Sequence, residues 1–154
     1  MGITTKHLLE LSQSMIAANV DEAQIRCSIG RSYYAAFHCA KDFHLSLSRP
    51  GALAGRPAGV HETLYQQLAH PTISQTDPNY LVSKQIAFIA RELKGVRVDA
   101  GYALEKTIDL KLAQRVIKQT LQLKALVDSR AKLTATASPA ADTLQPSQPH
   151  TLAS

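Results

Sequence analysis

Tryptophan is absent from this chain, aromatic residues make up only 5% of it, and charged residues only 19%. Packing must therefore rest on aliphatic side chains and alanine. That suits closely packed helices, because alanine has the highest helix propensity and no bulk to hold helices apart. Cysteine is scarce as well. Cys27 and Cys39 fall on one expected helix, roughly 18 Å apart at about 1.5 Å per residue, so they cannot pair with each other. No CxxC pair or Cys/His ligand spacing occurs, which argues against a zinc site, and no cofactor is expected. Reduced thiols, and an N-terminus without a basic patch and apolar run, point to the cytoplasm. No apolar stretch approaches the roughly 18 residues of a spanning helix, so no membrane association is expected. Neither GxxxxGK[ST] nor GxGxxG is present, which excludes P-loop and Rossmann nucleotide sites. Strand-like alternation and hairpin-turn signals are missing too.

What remains is helical. The 154 residues, 45% of them hydrophobic, suffice for one domain with a single core. A first helix is expected from Thr4 or Thr5 to about Asn19, burying Leu8, Leu11 and Met15, with Leu9 and Ile16 as further candidates for that side. Asp21 reads as an N-cap with Gln24 in the capping-box position, opening a second helix to about Leu47. Its apolar face is Ile25, Ile29, Tyr33, Ala36, Phe37, Ala40 and Phe43, and a close helix crossing would explain Gly30. The Pro/Gly-rich segment Ser48–Gly59 is a loop. A short helix over Val60–Ala69 is expected to bury Val60, Leu64 and Leu68. Next comes a helix over Asn79–Gly95 with Val82, Ile86, Ile89, Leu93 and Val96 inward, which Gly95 is expected to close or interrupt, then a turn at Val98–Gly101. The last helix spans about Leu104–Arg130. This pattern predicts an all-α fold, a four- to five-helix up-down bundle over residues 1–130 with one long central helix. Residues 131–154, rich in Ala, Thr, Ser and Pro, read as a disordered tail.

The net charge is +5. Up to Ser83 six basic residues face six acidic ones, whereas Lys84–Arg130 holds ten against five, so the surplus sits in the last two helices. Lys84, Arg91, Lys94, Arg97, Arg115 and Lys118 there suit an RNA-facing surface, and suit a plain solvated face equally well.

The informative string is Arg31-Ser-Tyr33-Tyr34-Ala-Ala-Phe37-His38. Seven residues at about 100° per step return to nearly the same face, so Arg31 and His38 project from one side of the second helix with Tyr34 between them. Asp42 follows one turn beyond His38. An imidazole gives or takes a proton near neutrality, and a guanidinium holds a phosphate by two hydrogen bonds. Together they can support attack of a ribose 2′-hydroxyl on its own phosphate without a metal, and a symmetric dimer would double the set. A His38–Asp42 surface pair is the plain structural reading of the same residues.

R-x-Y-Y-A-x-F-H on a long second helix resembles the small prokaryotic members of the HEPN superfamily, which are marked by Arg, four to six residues, then His. Two further strings agree in order. Gly59-Val-His61 resembles the family's His-containing segment after the loop, and Arg97-Val-Asp-Ala-Gly-Tyr102 resembles its later R-x-x-A-D-Y motif. The likeness spans about residues 5–128. It implies a bundle that dimerises with the Arg/His helices face to face and binds RNA or a nucleotide. Many members are ribonucleases of toxin–antitoxin or defence systems, silenced by a nucleotidyltransferase-like partner. Carried over, Arg31 and His38 are the catalytic pair, with Tyr34, Asp42, His61, Arg97 and Tyr102 as binding or supporting residues. Ser32 departs from the Asn, Asp or His that active nucleases of the superfamily often place after the Arg. Gly101 stands where the later motif prefers Asp. Both departures favour the alternative, a non-catalytic helical protein-interaction module that keeps the fold.

Overall fold

The structure, a computed structural model, describes residues 2–17, 19–56 and 59–136. The described residues form an all-α bundle of five helices: α1 (Thr5–Ser14), α2 (Glu22–Ser46), α3 (Val60–Ala69), α4 (Asn79–Tyr102) and α5 (Leu110–Thr136). No strand occurs among the described residues, and none of the helices is long and apolar enough to cross a membrane. Helix α2 is central and packs on all four others, most extensively on α1, α4 and α5. It is not the one long helix, since α4 has 24 residues and α5 has 27. Every residue of the expected α2 face, from Ile25 to Phe43, is buried in the core.

Both expected N-caps are formed. Thr4 and His7 cap each other's backbone at α1, and Asp21 and Gln24 do so at α2, where Gln24 N–H donates to Asp21 Oδ1 at 2.8 Å. Helix α1 ends at Ser14, five residues before the expected Asn19, which has a positive φ of 42° and turns the chain toward α2. Leu11 is consequently 40% exposed, and the residue buried in its place is Ser12. Val60 is also out of its expected place, exposed at the first turn of α3, while Leu64, Tyr65 and Leu68 point inward. Gly30 meets no neighbouring helix: a Cβ there would have open space around it.

Gly95 neither ends nor interrupts α4, and Val98–Gly101 forms its last turn. The burial of Leu93 and Ala100 on either side outweighs the ~1 kcal/mol that a glycine costs relative to alanine. The chain leaves the helix after Tyr102, and α5 starts at Leu110, where Asp109 Oδ1 accepts from Leu112 N–H. Arg26 explains this break. Its guanidinium donates to the carbonyls of Ala100, Ala103 and Lys106 while pairing with Glu22, whose carboxylate also accepts from Ile108 N–H. The Arg26 bond, more than that amide, holds the Glu22 carboxyl below its usual range. A charged pair from α2 thus satisfies the backbone of the α4–α5 connection. Helix α5 extends six residues past Arg130, and the remainder of the expected tail, 137–154, lies outside the described residues.

The Ser48–Gly59 loop is fastened near its start. Gly51 lies so close to α3 that an added Cβ would fall 1.7 Å from the Gln67 carbonyl oxygen. Ala52 N–H donates to His70 O at 2.8 Å, and Thr72 Oγ1 donates to Pro50 O at 2.7 Å.

Candidate functional site

Helix α2 is covered on most sides, which leaves one accessible strip. Arg31 and Tyr34 are exposed along it, and His38 is half-buried. The Tyr34 and His38 rings meet at 5.9 Å between centroids. Arg31 makes no ion pair among the described residues. His38 and Asp42 form no ion pair either. Both border a separate hollow beside Thr4, Thr5 and Leu8 at the start of α1. Ser32, directly after Arg31, is wholly buried on another side of the helix, its Oγ 2.6 Å from Ser12 Oγ.

Beyond Tyr34 the strip opens into a cavity of about 200 Å³ between α2, the start of α3 and α4, bordered by Tyr33, Tyr34, His61, Lys94 and Arg97. Gly59, with φ 88°, sets the chain entering α3, and the next turn carries His61 against α2. The His61 ring stacks on Phe37 at 4.0 Å and presents its face to Tyr33 at 5.6 Å. Behind it runs a short hydrogen-bond chain. Tyr65 Oη donates to Tyr33 Oη at 3.0 Å, and Tyr33 Oη lies 2.5 Å from His61 Nδ1. Because Tyr33 already accepts from Tyr65, its own proton goes to His61 Nδ1, which leaves Nε2–H as the donor of a neutral ring.

The electrostatics agree with that arrangement. Burial first, then Lys94, Arg97 and His38, push His61 below the usual histidine value. Burial likewise raises both phenols, Tyr65 far above the ordinary tyrosine value, so they stay protonated. Glu62 takes Lys94 at 3.0 Å and Arg91 at 3.1 Å, and the Lys94 bond is the main reason its carboxyl titrates low. Arg97 lies over the Tyr102 ring at 5.3 Å. Arg91 and Lys94 therefore share the Glu62 carboxylate, while Arg97, which borders the cavity with Lys94, makes no ion pair among the described residues.

Of the residues expected at a site, Tyr34, His61 and Arg97 share this cavity, while His38 touches the Tyr34 ring but borders the other hollow. Tyr102 supports Arg97 from outside. Arg31 lies one turn before Tyr34 on the strip, and Asp42 belongs to the other hollow. Lys94, expected only as one of several basic surface residues, proves to border the cavity. Tyr33 is buried as its phase requires, but its hydroxyl reaches the site. Tyr65 gave no signal beyond its place beside Leu64. No three His, Cys, Asp or Glu side chains among the described residues come together as a metal site. No family model, curated protein or solved structure matches the chain.

Proposed function

We propose that this chain is a HEPN-type protein that binds RNA along the open strip of α2, as a symmetric dimer, and cuts it without a metal ion. The observation that carries this reading is the strip itself. Arg31, Tyr34 and His38 share one accessible face, and Arg31 has no carboxylate to hold among the described residues. A free guanidinium is suited to a phosphate oxygen, a tyrosine ring to a base, and an imidazole to the proton of a 2′-hydroxyl. In the reaction, the 2′-oxygen bonds to phosphorus, His38 takes its proton, and the 5′-oxygen leaves. The products are a 2′,3′-cyclic phosphate and a 5′-hydroxyl. The leaving oxygen needs a proton, which His38 of a second copy across a two-fold axis would supply. In a toxin–antitoxin or defence module, a nucleotidyltransferase-like partner would cover this strip.

The test is cleavage of total RNA and of a labelled oligonucleotide by wild type and His38→Ala, both with EDTA. Cyclic-phosphate ends from wild type alone are expected. Equal cleavage by both would remove His38 from the mechanism. No cleavage by a folded, dimeric wild type would leave the second reading, a protein-interaction module on the same bundle. Two features favour that reading. Ser32 turns into the core and adds nothing to the strip, and α4 exposes Leu81, Phe88 and Tyr102 at seven-residue multiples.

A further inference from the structure

We infer that the cavity between α2, α3 and α4 is a binding site for a phosphate monoester, held by Lys94 and Arg97 with His61 Nε2–H as a third donor. As a site for an RNA end it rests on the RNA reading above; as a site for a free nucleotide it stands alone.

Size and charge select the ligand. About 200 Å³ is several times the ~30 Å³ share of one water, enough for a phosphate and its ester oxygen. Lys94 and Arg97 border it, Arg91 lies one turn before Lys94 on α4, and among the described residues the carboxylate paired with any of the three is that of Glu62. Two positive charges are left over. Lys94 gives one bond to Glu62 Oε2, and an ammonium has three hydrogens, so donors remain. Arg97 is steadied by its stack on Tyr102 and makes no ion pair among the described residues. A monoester phosphate carries about −1.5 to −2 at neutral pH, whereas an internal diester carries one charge. The doubly charged group fits the surplus better.

The hydrogen-bond chain behind His61 makes the third donor. A lone imidazole can turn either nitrogen to a ligand, as acceptor or as donor. Here Tyr65 fixes the Tyr33 proton, and Tyr33 fixes the ring as an Nε2–H donor. A ring held neutral with one fixed N–H offers a hydrogen bond to an oxyanion without adding a third surplus charge. Tyr34, 43% exposed at the rim, provides a face for the attached nucleoside.

The experiment compares ligands that differ only in a terminal phosphate. Short 2′-O-methyl oligonucleotides, which cannot be cut, are titrated by fluorescence anisotropy with a 5′-phosphate, a 3′-phosphate or neither. AMP and adenosine are titrated by calorimetry in parallel. One phosphorylated end should bind at least about tenfold tighter than its hydroxyl form, or AMP at least about tenfold tighter than adenosine. An end effect identifies RNA termini as the source of the ligand; an effect with AMP alone identifies a free nucleotide. Arg97→Gln and, separately, Lys94→Gln should collapse the preference toward one, and Tyr33→Phe should reduce it, with helix content checked by circular dichroism. Arg31→Gln should weaken both forms of the RNA and keep their ratio. If that variant binds RNA as wild type does while the ratio stands, the RNA strip is wrong and the phosphate site is right. Equal affinities for all phosphorylated and unphosphorylated pairs in the wild type would overturn the proposal.

Discussion

Helix α2 carries two buried polar groupings on different sides, and they end differently. Toward α1 and α5, Ser12, Ser28 and Ser32 are wholly buried and satisfy one another: Ser12 Oγ lies 3.0 Å from Ser28 Oγ and 2.6 Å from Ser32 Oγ. Ser28 Oγ donates to Ser12 O, and Thr120 Oγ1 donates to Ser32 O. Every partner is internal, and the group lets α1 approach α2 with small side chains. Toward α3 and α4, Tyr65 and Tyr33 also pass hydrogen bonds through the core, but theirs finish at His61 beside a basic cavity. A polar network that closes on itself holds helices together. One with an open end at the surface sets the state of whatever stands there.

The contrast makes three predictions beyond the ligand experiments. The largest effect belongs to the closed group. Ser32→Leu overfills a fully packed position and strands its partners, so urea unfolding should show a loss of about 3 kcal/mol. A loss below about 1 kcal/mol would mean that α1 yields easily and the cluster is not a tight joint. Next comes Tyr65→Phe, which removes one buried hydroxyl. It should cost about 1 kcal/mol and, unlike any serine variant, shift the His61 ring nitrogens in ¹⁵N spectra toward a protonated Nδ1. An unchanged tautomer would sever Tyr65 from the site.

The smallest effect is on pH dependence. His61 is held below the usual histidine value of 6.5, chiefly by burial. As pH falls past that value the unfolded chain binds a proton that the folded chain still refuses. The stability contributed by the neutral ring is therefore complete above pH 6.5 and is lost as pH falls through the lower folded value. His44, also lowered by burial, acts in the same direction. His61→Gln should make the decline in thermal midpoint from about pH 7 to about pH 5 shallower. A decline identical to wild type would show that His61 takes up its proton alike in the folded and the unfolded chain.

Much of the bundle is legible in the sequence where one face repeats. The α2 phase and the caps at Thr4 and Asp21 follow from local spacing and local hydrogen bonds. What escapes is set by distant partners. Ser12 is polar, so a hydrophobic period passes over it, and only the arrival of Ser28 and Ser32 makes it a core residue. Gly95 looks like a helix end because propensity is local, whereas the packing of Leu93 and Ala100 is not. The break after Tyr102 depends on Arg26, more than seventy residues earlier. The site divides in the same way. Arg31, Tyr34 and His38 share a face by arithmetic on one helix. The link from Tyr33 to His61 exists only once α3 lies against α2, and a tyrosine phased toward the core gives no hint that its hydroxyl passes through to the other side.

The close approach at Gly51 has a consequence for how the chain tolerates change. With Gly51 against Gln67 and Ala52 bonded to His70, the connection from α2 to α3 behaves as two spans. The first is short and fixed, and no side chain can be added at its end. The second begins at Leu53 and runs exposed through Arg56. Since closure entropy grows only with the logarithm of loop length, extra residues inserted at 53–56 should cost a few tenths of a kcal/mol to about 1 kcal/mol. The same insertion two residues earlier would prise α3 from its seat. Evolution, or an engineer placing a dye, has one free stretch here, and it lies just upstream of the glycine that turns the chain into the cavity.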